Sequence, residues 1–235
     1  MAVKFPVDDP RAQAVVDAIQ RGQGDQLRAL LRDDPELATA RIVDAKGVER
    51  TLLHVVADWP GHFPNGAQTV AVLIAAGADP NARVEGCATH AETPLHWAAS
   101  SDDVAVLDAL LDGGADIEVT GAVFTNGSPM SDAVVFAQWK AARRLIERGA
   151  KTTLSQAAAL GLLDRVNDEF AQRAPSTDEI TNAFWNACRG GHQCTAAYLL
   201  DRGADLHWIG HDQKTPLQVA EESGNEELLR WLRER

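Results

Sequence analysis

Four side chains in the first half of the chain are of types that handle protons and metal ions: His54, Asp58, His62 and His90. Imidazoles beside a carboxylate can hold a divalent cation or exchange a proton near neutral pH. His54 and Asp58 stand four residues apart, which places them on one face of a helix. His62 follows in the stretch Trp59-Pro60-Gly61-His62-Phe63-Pro64-Asn65-Gly66, whose prolines and glycines forbid a continued helix. At the helical rise per residue, His62 falls roughly 12 Å from His54. The four groups therefore meet only if that stretch folds back over the helix. Such a pocket defines an enzyme or a small-ligand or metal-binding protein as the alternative reading. No Gly-rich phosphate loop, Gly-x-Ser-x-Gly elbow or His-Glu-x-x-His pair accompanies it, and no cofactor or metal is expected.

The elements that must position these groups are clearest between Glu92 and Asp116. Thr93 suits an N-cap, and Pro94 suits the first helical position, where a missing N–H costs nothing. Leu95 enters a core, and His96 can bond back to the cap or across to a neighbouring loop. Ala98 and Ala99 keep this helix thin, so that a second can lie close. That second helix carries Val104, Val106, Leu107, Leu110 and Leu111 at helical spacing. Gly114 ends it, free to adopt a left-handed conformation. One such pair cannot bury both faces, so copies must stack beside it.

Copies are present. Thr51-Leu-Leu-His and Thr215-Pro-Leu-Gln repeat the opening motif, and Gly-Ala-Asp closes units at Gly77, Gly114 and Gly203. The glycines Gly77, Gly114 and Gly149 are 37 and 35 residues apart. These motifs resemble the ankyrin repeat, and the resemblance covers most of the chain. The abundance of arginine over lysine, with much alanine, looks like bacterial ankyrin-repeat proteins. The fold this implies is an all-α solenoid of helix-turn-helix repeats with short β-hairpin loops, about six to seven repeats including degenerate caps. It makes residues 1–235 a single domain: a cap at 9–46, repeats at 51–83, 93–121, 128–150, a shortened 152–174 and 182–208, and a C-terminal cap at 215–235. Departures include Ser131 and Trp185 at the histidine position, and a missing hairpin before Thr153. Ala174-Pro175-Ser176 is the nearest thing to a linker.

The resemblance implies a protein–protein interaction scaffold that binds on its concave surface, here repeats two to four. In the family the residues after the Ala-Ala pair are exposed there. They correspond to Asp58 and Trp59, Ser100 and Ser101, and Val135 and Phe136, with His62 and Phe63 in the adjoining insertion. Ala159 and Leu160 occupy the same position in the shortened repeat. Exposed aromatics would form a hot-spot row, unless the insertion folds down and buries Trp59 and Phe63 itself. Trp97 and Trp139 are expected in the core.

Composition narrows the partners. Hydrophobic residues make up 45% and net charge is −12, without a basic cluster. That disfavours nucleic acid and an anionic membrane surface. No apolar run reaches membrane-spanning length and no secretory signal opens the chain. Cys87, Cys188 and Cys194 are odd in number and lack zinc or redox spacing, which fits packing roles in a cytoplasmic protein. A monomer whose partner is another protein is expected.

Overall fold

The first helices here are short, and short helices persist only when neighbours hold them. The computed structural model describes residues 2–88 and 91–235, and its contacts divide the chain into two units, residues 1–150 and 151–235. In the first unit α1 (Pro10–Gln20) pairs with α2 (Gly24–Asp33), and α3 (Leu52–Ala57) with α4 (Gly66–Ala75). Next come α5 (Pro94–Ser100) with α6 (Val104–Asp112), and α7 (Pro129–Val135) with α8 (Trp139–Glu147). Side chains complete the first turns. The Asp9 carboxylate accepts the Arg11 N–H at 2.8 Å, and that of Asp103 accepts the Val106 N–H at 3.1 Å.

Stacking is serial. The helices α1, α3, α5 and α7 pack one on the next, and so do α2, α4, α6 and α8. The shared interior is wholly buried at Leu53, Val56, Leu73, Leu95, Leu107, Leu110 and Leu145. Burying each such side chain contributes about 1.5–3 kcal/mol, which one isolated pair could not collect. Ala98 and Ala99 are also fully buried, at the close approach between α5 and its neighbours.

Three short strands qualify the all-α expectation. β1 (Lys4–Pro6) pairs in parallel with β2 (Arg41–Val43), which pairs antiparallel with β3 (Glu49–Thr51). Phe5 lies opposite Ile42 in this register, and both are buried. The hairpin expected between repeats is thus formed at 41–51. The longer connection after Asp79 contributes only a Glu49–Glu85 bridge among the described residues.

The second unit holds α9 (Leu154–Ala159), α10 (Leu163–Gln172), α11 (Thr177–Arg189), α12 (Gln193–Leu200), α13 (Pro216–Ser223) and α14 (Glu226–Arg233). It too stacks serially, α9 on α11 on α13 and α10 on α12 on α14. Its core includes Val166, Phe184, Trp185, Cys188, Leu199 and Leu228. Helix α11 begins at Thr177, ahead of the expected start at 182. The reason is a capping box: Ser176 Oγ accepts the Glu179 N–H at 3.2 Å, and the Glu179 carboxylate accepts the Ser176 N–H at 2.9 Å. Ser176 therefore caps a helix rather than belonging to a linker.

Gly114 sits at φ +94° with nothing within 4 Å of an added Cβ. Gly114→Ala should therefore cost about 1–2 kcal/mol from backbone strain alone. Gly114→Asn should cost less, since asparagine tolerates the left-handed region. Urea midpoints at an unchanged slope check both.

Candidate recognition surface

His54 is fully buried, and both ring nitrogens are engaged. Nδ1 accepts the Thr51 N–H at 3.2 Å, which leaves the proton on Nε2 for the Glu92 carbonyl, also at 3.2 Å. His96 repeats the arrangement one unit on, from Thr93 N–H at 3.1 Å to the Gly127 carbonyl at 3.2 Å. Each imidazole thus completes a helix cap and ties its repeat to the next. Burial lowers the His54 pKa to about 3, so the ring stays neutral. Its edge meets Trp97 with centroids 4.9 Å apart.

Among the described residues, the other acid–base candidates make different contacts. The Asp58 carboxylate pairs with Arg50 at 2.7 Å, and partial burial raises its pKa. The His62 backbone N–H donates to Asp103 Oδ2 at 2.7 Å while its ring is exposed, with Nδ1 4.0 Å from Asp103 Oδ1. His90 lies outside the described residues. Among the described residues no group of three or more His, Cys, Asp or Glu side chains could hold a metal ion. A shallow open pocket of ≈ 550 Å³ lies between the N-terminal ends of α2 and α4, lined by Gly22, Arg28, Asn65, Gln68 and Thr69. None of the acid–base candidates lines it.

The insertion does not bury Trp59, which is 81% exposed, and Phe63 is half-buried. The loop is pinned at several points. Gly61 N–H donates to the Asp58 carbonyl at 2.7 Å, and Asn65 Nδ2 to the Gly22 carbonyl at 2.9 Å. Gly61 has φ +74°, and a Cβ there would come within 2.9 Å of Ser101 Cβ. That packing corrects the expectation for Ser101: it is buried, and its Oγ donates to the Ala57 carbonyl at 3.3 Å. Asp58, Ser100 and Val135 are half-buried, and Phe136 is exposed. Ala159 and Leu160 are buried, because Gly190 lets the end of α11 pack against Ala159.

Other aromatics divide differently from expectation. Trp97 and Trp139 are half-buried rather than core, and the Trp97 indole donates to Glu92 Oε2 at 2.9 Å. Trp185 is buried and reaches the Lys214 carbonyl at 2.8 Å through Nε1. Lys214 precedes the cap of α13, so the indole makes the inter-repeat bond that histidine makes elsewhere. Phe124, which motif spacing does not single out, is 68% exposed with its ring 5.9 Å from that of Phe136. Its only signal is an aromatic residue in a polar loop.

Short capped helix pairs, stacked serially with side-chain ties between neighbours, define a helical repeat protein. The profile described as ankyrin repeat matches residues 90–119. The chain is 28% identical over 170 residues to the ankyrin repeat and KH domain-containing protein mask-1 of Caenorhabditis elegans, covering 72% of this chain and 6% of that protein. A similarly named protein of Caenorhabditis briggsae is 29% identical over 160 residues, covering 65% and 5%. A transient receptor potential cation channel subfamily A member 1 homolog of C. elegans is 32% identical over 141 residues, covering 60% and 10%. The chain thus spans a tenth or less of each relative. Residues 90–119 match an ankyrin repeat, and the chain is similar over 72% and 65% of its length to two proteins named for ankyrin repeats. These relatives are nematode proteins and lend the bacterial resemblance no support.

Because the folded pKa of His54 is depressed, its contribution to stability is full above the unfolded value of about 6.5 and is lost as pH falls toward about 3. Between about pH 6.5 and pH 5 the native protein should lose up to about 1.4 kcal/mol per pH unit more than His54→Gln. Denaturant titrations of both proteins across that window measure the difference.

Proposed function

We propose that the chain is a protein-binding scaffold whose partner docks on the face built by the first helices and loops of repeats two to four, the concave face in this family. Ankyrin repeats generally mediate protein–protein interaction, but the fold alone does not choose a surface. The observation that carries the choice is Trp59. A tryptophan 81% exposed on a loop hydrogen-bonded to its surroundings loses little entropy when it docks, which is the profile of a hot-spot anchor. Phe124 and Phe136 add a second exposed apolar contact in the same unit.

An acid–base or metal role has less support, since His54 is consumed by structural bonds and Asp58 by Arg50. Cys188 is likewise a packing residue, buried with its thiol pushed up by burial. No helix among the described residues is long and apolar enough to cross a membrane.

Trp59→Ala combined with Phe136→Ala should weaken capture of the partner at least tenfold while leaving the urea midpoint nearly unchanged, as both side chains are exposed. Affinity capture from source-cell lysate, read by quantitative mass spectrometry, checks this. Equal recovery of every protein by the variant and the native chain would refute the choice of surface.

A further inference from the structure

Two buried carboxylates from successive repeats lie on neighbouring parts of the first unit, one just before α5 and one on α7, the helix packed against it. Glu92 precedes the cap of α5, and Asp132 lies on α7; they are 8% and 1% exposed. Glu92 is held from two sides, by the Trp97 indole at 2.9 Å on Oε2 and the Val123 N–H at 2.9 Å on Oε1. Asp132 is held differently. Its Oδ2 is buried with no hydrogen-bond partner, and the Glu92 charge acts on it.

Two aromatic rings stand nearby. Phe136 follows Asp132 by one helical turn, and its ring meets that of Phe124, the residue after Val123. The second carboxylate, the unused oxygen and two exposed rings therefore fall within a turn of helix and a residue of loop. Among the described residues, no charged or titratable group on the elements packed against α7 pairs with Asp132. His96 on α5 is committed to Thr93 and Gly127. On α8, Arg144 is bound to Asp108 and Glu147 and Arg148 to Asp108 and Asp112, while Lys140 and Arg143 are exposed. No ion pair to Asp132 occurs among the described residues.

We propose that Glu92, Asp132, Phe124 and Phe136 form a receptor for one basic side chain, a lysine ammonium or arginine guanidinium, presented by the protein partner. Two carboxylates in a poorly solvated site attract a cation strongly, and the faces of the rings favour it further. The net charge of −12 points to the same complementarity. Burial, with Glu92 beside it, raises the Asp132 pKa to about 8, so at neutral pH the carboxyl holds a proton. The arriving cation replaces that proton, which leaves to solvent. The proposal rests on the reading that this face takes a partner.

The test titrates the full chain with N-acetyl-arginine amide, N-acetyl-lysine amide and, as an uncharged control, N-acetyl-norleucine amide. The Trp97 indole N–H and the Val123 amide are followed by NMR, because both report on Glu92. A saturable shift with at least one cation and none with norleucine is expected. Affinity should rise toward tenfold per pH unit below about pH 8 and level off above it, as one proton is displaced. Asp132→Asn should lose both the binding and its pH dependence, with Glu92→Gln as a second variant should the first not fold. The pH profile of the native chain needs neither. No saturable shift at tens of millimolar, equal shifts with norleucine, or undiminished binding by a folded Asp132→Asn would overturn the proposal. The titration uses single amino-acid amides and no protein partner, so failure of the cation site is read separately from failure of the wider docking surface, which only the lysate capture reports.

Discussion

In each unit a buried ring N–H runs from the first helix of a repeat to the carbonyl just before the next repeat's cap. His54 reaches Glu92 and His96 reaches Gly127, each at 3.2 Å, and Trp185 reaches Lys214 at 2.8 Å. The acceptors precede Thr93, Ser128 and Thr215, the caps of α5, α7 and α13. Each of these carbonyls also accepts a backbone N–H from its own loop, Val84 to Glu92 at 2.9 Å, Gly121 to Gly127 at 3.0 Å and Gly210 to Lys214 at 3.0 Å, so the ring donor is a further bond that ties the closed loop to the preceding repeat. The imidazoles do this while also closing their own caps, which explains why Thr and His recur three residues apart. Tryptophan at 185 keeps the donor and gives up the return bond to the cap, and its bulk fills the space against Trp208 and His211.

Because the loops are fixed this way, the first unit can present side chains at defined positions. Its exposed aromatic residues are Trp59, on a loop tied to Asp103 and Gly22 by backbone and side-chain bonds, and Phe136 after α7 with Phe124 beside it. A stiff platform with variable tips is the physical reason this architecture suits recognition. The same bonds make His54 a poor catalyst, since a buried imidazole with both nitrogens committed has nothing left to offer a substrate.

What could be read from sequence was whatever depends on near neighbours in the chain. Thr51 and Thr93 with a histidine three residues on, the alanine pairs and the closing glycines each announce a local geometry, and the helices follow. The exposure of Trp59 is not legible in the sequence, since two prolines and two glycines forbid a helix without saying which way the insertion folds. The burial of Ser101 depends on Gly61, forty residues away, which packs on it, so no local pattern announces it. Asp132 and Glu92 are separated by a repeat, and neither carries a motif. At Ser176 the spacing to Glu179 did announce a helix start, but the repeat period drew attention to Asn182 instead.

The central claim is that side-chain donors lock each repeat to the next. Site-specific replacement of Trp185 by 3-benzothienylalanine tests it most directly, since the sulfur analogue keeps the bicyclic ring and removes only the N–H that meets Lys214. Urea unfolding followed by circular dichroism should show a loss of about 1–2 kcal/mol. Native-state hydrogen exchange should quicken in α13 and α14 more than in α9 and α10. Unchanged stability with unchanged exchange in α13 would contradict the account.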